Sequence, residues 1–130
     1  MYEKNLDDLI SRYIATIKII SKEDIDNKNE IRKLIIAGII NNLILSKKLF
    51  KRNMEIGDFL KKQFEIEPRK YMLSSRTLLC GKVTKTINEI SDEERLETML
   101  NNLYNVLIKI LKFDDINAKD IYDVIREMNF

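Results

Sequence analysis

The chain has 130 residues, of which 45% are hydrophobic and 34% charged, with a formal net charge of +2. That size and balance exclude a disordered chain and fit one globular domain that buries a core without staples. No histidine, a single cysteine, three glycines and one proline leave little for imidazole catalysis, cysteine-rich metal sites or tight hairpins, so the expected fold is all-α.

The opening residues 1–8 are polar and acidic, unlike a signal peptide. The longest apolar run, 34–40, is far too short to span a bilayer, so the expected compartment is the cytoplasm and no membrane partner is expected. The first helix is expected over 6–20, where Leu6, Leu9, Ile10, Tyr13, Ile14 and Ile17 recur at helical spacing. Asn5 is its candidate cap. Residues 21–29 are polar and read as a loop or a capping pair of Ser21 with Asp24.

A second helix is expected over 30–51. Its isoleucines favour strands by propensity, but the run is long, lacks alternation and covers more than half of a helical wheel, which marks a central, mostly buried helix. Gly38 within it suggests a close helix–helix approach, at about 1 kcal/mol relative to alanine. A short helix follows over 54–64. Pro68 then suits the first turn of a further helix over 69–90, in which Gly81 marks a kink or an approach and Cys80, beside Leu78 and Leu79, reads as a buried apolar thiol.

Ser91 with Glu94 three residues later forms a capping box, with Ile90 as a hydrophobic staple, opening a helix through Leu111. Asn117 and Asp120 offer a second cap, for a last helix holding Ile121, Val124, Ile125 and Met128. Five or six helices in a compact bundle and a single domain over 1–130 are the resulting expectation.

Charge is unevenly placed. Residues 47–85 carry eleven basic residues against four acidic ones, net +7, whereas residues 86–130 carry five basic against ten acidic, net −5. A basic middle faces a polyanion, or it packs against the acidic end within the chain or between subunits. The candidate polyanion-binding residues are Lys47, Lys48, Lys51, Arg52, Lys61, Lys62, Arg69, Lys70, Ser74, Ser75, Arg76, Lys82 and Lys85.

Around residues 59–76, a helix, a polar break and a basic helix are loosely similar to a helix-turn-helix. That resemblance implies Arg69, Lys70, Ser74, Ser75 and Arg76 at the front of a groove-reading helix. The chain departs from the motif at Lys61, where a small residue is usual, and at Glu65, where glycine is usual; Glu65 and Glu67 would also repel phosphates.

No phosphate loop, nucleophile elbow or di-metal pattern is present, and no cofactor is expected. The acids Asp92, Glu93 and Glu94 fit the first turn of a helix. Asp114 with Asp115 is the remaining carboxylate pair, and Tyr71, Ser74, Ser75 and Arg76 are the candidate polar cluster. The leading expectation is a non-enzymatic binding or regulatory protein acting through a protein partner or self-association. The stripe Leu100, Leu103, Leu107 and Leu111 reads first as ordinary core and, where the bundle leaves it uncovered, as a dimer or partner groove, while Met128 and Phe130 dock onto the bundle or onto a partner. The alternative is a nucleic-acid binder using residues 47–85. The Ile-, Lys- and Asn-rich composition looks like that of proteins from AT-rich genomes, and the size would suit a small phage, plasmid or defence-related accessory protein.

Overall fold

The computed structural model describes residues 5–22 and 28–113, with side chains at 8–19 and 28–111. It is all-α: α1 (Asn5–Lys22), α2 (Lys28–Leu45), α3 (Asn53–Phe64), a 3-10 turn (Lys70–Ser74), α4 (Arg76–Asn88) and α5 (Glu93–Phe113). The helix expected near 121–128, its cap, the carboxylates at 114 and 115, and the anchors Met128 and Phe130 lie outside the described residues. Among the described residues no helix is long and apolar enough to cross a membrane.

The centre of the arrangement is α2, which packs against α1, α4 and α5. Its apolar residues encircle most of the helix because three neighbours must be met, and Ile36, Ile40, Leu43 and Ile44 are fully buried. On α4 the contacts from α2 run in opposite order. Lys33 reaches Asn88 and Ile44 reaches Arg76, so the two helices are antiparallel. Against α5 the order is the same on both helices, from Asn29–Glu93 to Arg32–Glu97, so these two run parallel.

The stripe Leu100, Leu103 and Leu107 on α5 is buried, and Leu111 packs half-buried against the same core. The stripe is therefore ordinary core, the first of its two readings from the sequence, and not a partner groove. Each such side chain stabilises the fold by roughly 1.5–3 kcal/mol through burial.

Four element boundaries differ from expectation. The second helix ends at Leu45, not at residue 51, because Ser46 gathers the following backbone. Its carbonyl accepts from Phe50 and its hydroxyl from Leu49, which turns both residues into the core. The helix expected over 69–90 is two elements. Lys70–Ser74 forms an isolated 3-10 turn, and Ser75 in an extended conformation then caps α4, its Oγ accepting from the Leu78 N–H. In α5 the cap is Asp92, not Ser91, since Asp92 Oδ1 accepts from the Glu94 N–H and the Asp92 carbonyl from Leu96. The first helix also begins at Asn5 rather than after it.

The close approach expected at Gly38, and offered as one of two readings at Gly81, is not found. A Cβ at Gly38 or at Gly81 would meet nothing within 4 Å, so neither marks a close approach. Both are exposed. The crowded glycine is Gly57, where a Cβ would lie 2.9 Å from Leu73 Cδ2.

Cations close helix ends from a distance. The last carbonyls of a helix lack intrahelical donors and carry partial negative charge. At the end of α2, which has no basic residue in its last turn, Arg76 supplies the donors. At the end of α3, Arg95 Nη2 donates to the Phe64 carbonyl at 3.2 Å while Nη1 meets Glu65 Oε1 at 3.0 Å. At the end of α4, Lys33 Nζ donates to the Asn88 carbonyl at 3.2 Å.

Candidate functional site

The basic segment is folded back on itself by one side chain. Arg76, at the start of α4, donates through Nη1 to the Ile44 carbonyl at 2.8 Å and to the Ser46 carbonyl at 3.4 Å. Its Nη2 donates to the Phe50 carbonyl and its Nε to Asn53 Oδ1. Asn53 Nδ2 in turn donates to the Leu73 carbonyl at 2.8 Å. The loop 46–52 is thereby laced to the segment 69–76, and two stretches of basic sequence become neighbours at one end of the bundle.

This lacing sorts the candidate residues. Arg76 is half-buried and fully engaged with backbone, so its guanidinium is a tie rather than a reader of bases. Ser75 is a helix cap, and Ser74 Oγ donates to the Tyr71 carbonyl at 2.8 Å. The cluster of Tyr71, Ser74, Ser75 and Arg76 is therefore not a convergent polar pocket; the Ser74 and Ser75 hydroxyls serve the local backbone, and the Arg76 guanidinium serves the loop and Asn53.

The recognition-helix geometry is absent as well, because Arg69 is extended, Lys70 begins a 3-10 turn, and residues 65–75 separate α3 from α4. Glu65, which stands where the motif has glycine, does adopt the left-handed conformation, with φ 57°.

Lys47, Lys51, Arg69 and Lys70 are exposed and make no ion pair among the described residues. Arg52 lies 3.9 Å from Glu55 Oε2. That carboxylate is committed elsewhere: its Oε1 accepts from the N–H groups of Lys51 and Arg52 at 3.1 Å each, capping α3. Lys61 pairs with Glu67 at 3.5 Å, both largely exposed. Lys48 and Lys62 are also partnered. Lys82 and Lys85 sit on α4, outside the laced end, with Lys85 exposed and Lys82 half-buried. Two acids of α5 look elsewhere: Glu97 lies 3.7 Å from Arg32 of α2, and Glu93 accepts from Asn29.

Two further features were not visible in the sequence. Arg32 is 3% exposed, yet its Nε and Nη1 have no hydrogen-bond partner. An exposed stripe also runs along α2, where Leu34 and Leu45 are 75% and 53% exposed, with open Gly38 between them on the same side. Cys80 is partly buried, its Sγ facing the Asn41 carbonyl at 4.0 Å, and burial pushes its thiol pKa up, which makes it a poor nucleophile. Among the described residues no three His, Cys, Asp or Glu side chains gather as metal ligands.

Compared with protein-family models, curated proteins and solved structures, the chain matches none.

Proposed function

We propose that this chain is a non-enzymatic binding protein that takes the phosphate backbone of a nucleic acid on the end of the bundle formed by residues 46–52 and 69–74. One observation carries the reading. The Arg76 tie brings two basic stretches together and leaves Lys47, Lys51, Arg69 and Lys70 exposed without ion pairs among the described residues. Clustered unpaired cations hold a polyanion chiefly by releasing its counterions. Glu93 and Glu97 of α5 do not offset this charge, because both face α2.

The test is titration of labelled duplex DNA and of RNA with wild type and with the double variant Lys47→Glu, Lys51→Glu. Wild type binds at low salt and the variant binds at least tenfold more weakly. Absence of binding by wild type at low salt sinks the reading, since non-specific attraction is strongest there.

A second reading, self-association or capture of a protein partner, has its own support in the α2 stripe of Leu34, Gly38 and Leu45. Sedimentation equilibrium of wild type against Leu34→Glu tests the self-association half: a dimer that the substitution abolishes favours it, and a monomer in both removes it.

A further inference from the structure

We infer that the basic end is built for single-stranded rather than double-stranded nucleic acid, with Tyr71 as a stacking platform for a base. This rests on the phosphate-binding reading above and adds to it the form of the ligand. Reading a duplex groove requires a projecting helix or β-ribbon whose leading side chains reach base edges. The residues that would lead such a helix are occupied here: Ser75 caps α4, Ser74 donates to the Tyr71 carbonyl, and Arg76 is bound to the backbone of residues 44–50. What remains outward on this segment is a short turn bearing two cations followed by an aromatic ring, in the order Arg69, Lys70, Tyr71.

Tyr71 is 60% exposed in a molecule whose Phe50, Phe59 and Phe64 are at most 2% exposed. It is not needed for packing, unlike its neighbours Met72 and Leu73, which lie against the core. Its hydroxyl makes no hydrogen bond among the described residues. An exposed ring set among cations is the combination that holds a single strand. The cations follow the phosphates and the ring receives a base, whatever its identity. Across the tie from Arg76, Lys47 and Lys51 extend the cationic track beyond the turn. A duplex keeps its bases stacked inside and offers the ring no partner.

The experiment is fluorescence anisotropy with the full chain and three labelled probes at low salt: a mixed-sequence single-stranded DNA, the corresponding single-stranded RNA, and the DNA duplex. Wild type is expected to bind either single strand at least several-fold more tightly than the duplex. Tyr71→Ala is expected to lose about tenfold for single strands, which corresponds to about 1.4 kcal/mol, within the range of one lost stacking contact. Tyr71→Phe keeps the face and retains binding, and the duplex affinity is unchanged by either substitution. Equal affinity for duplex and single strands, or a Tyr71→Ala variant that binds single strands like wild type, overturns the inference and leaves the phosphate reading intact. Failure of all three probes to bind overturns both. Circular dichroism of Tyr71→Ala, matching wild type, establishes that any loss comes from the surface.

Discussion

Replacing Arg76 separates a structural arginine from a ligand-binding one. In Arg76→Ala the carbonyls of Ile44 and Phe50 and the amide oxygen of Asn53 lose the guanidinium donor, while the Ser46 carbonyl keeps the Phe50 N–H. Ile44 and Phe50 are 0% and 1% exposed, so water does not readily replace the guanidinium there. Each unmatched buried carbonyl costs about 1–3 kcal/mol, and loss of the positive charge at the end of α2 adds about 0.3–1 kcal/mol. The expected destabilisation is about 3–4 kcal/mol, a large share of the stability of a small domain. For a chain of this length that is a Tm lower by about 10–15 °C. Urea unfolding followed by far-UV circular dichroism measures it, with an unchanged m-value expected. Arg76→Lys should recover less than half, because one ammonium group does not span acceptors that the planar guanidinium bridges. A loss below about 1 kcal/mol for Arg76→Ala would refute the tie and return Arg76 to the set of residues free to contact a ligand.

Other substitutions probe the interior and the helices. Arg32 is a buried cation whose ion partner, Glu97, is 3.7 Å away and half exposed, so Arg32→Met should be neutral or stabilising by about 1–3 kcal/mol, whereas Glu97→Gln should destabilise; thermal melts that show Arg32→Met strongly destabilised would contradict this. Gly38→Ala and Gly81→Ala should each stabilise by about 0.5–1 kcal/mol, since the added methyl meets nothing, while Gly57→Ala should gain less or lose stability because its Cβ presses on Leu73; equal gains at all three in urea titrations would count against the packing described. Burial raises the Cys80 pKa, so at a given pH fewer thiolates form in the folded chain. Alkylation by iodoacetamide should therefore require more alkaline pH in the native protein than in denaturant. The linked stability is present below the unfolded-state pKa and is lost as pH rises through the higher folded value. Identical pH midpoints for native and denatured chains would argue against that shift.

The periodic parts of this fold were legible. In α1, α3 and α5 the apolar residues recur every three to four positions and have one side to bury, so hydrophobic spacing locates them within a few residues. The errors lie where a side chain outcompetes the helix. Ser46 and Ser75 each collect backbone donors, which ends α2 early and starts α4 late, and no periodicity records that competition. Gly38 was misread because the sequence does not say which side of a nearly uniformly apolar helix is left uncovered. The charge asymmetry was visible, but its sorting was not. Arg76 and Arg95 resemble any other surface arginine in sequence, and their use as closures of α2 and α3 depends on helix ends thirty or so residues away. The segments carrying Lys47 and Lys70 are laced together through the same tie. Tyr71 stood in the sequence as one member of a polar cluster, and its exposure set it apart from that cluster only once Ser74, Ser75 and Arg76 had been assigned to the backbone.

The most direct test of the proposed function is the salt dependence of affinity for a single-stranded oligonucleotide, for wild type and for the variant with Lys47 and Lys51 both changed to alanine. Four phosphate contacts, by Lys47, Lys51, Arg69 and Lys70, predict a slope of log K against log salt concentration of about −3, and loss of two lysines predicts about −1.5. A slope near zero, or the same slope in the double variant as in wild type, would contradict the assignment of the nucleic-acid backbone to this end of the bundle.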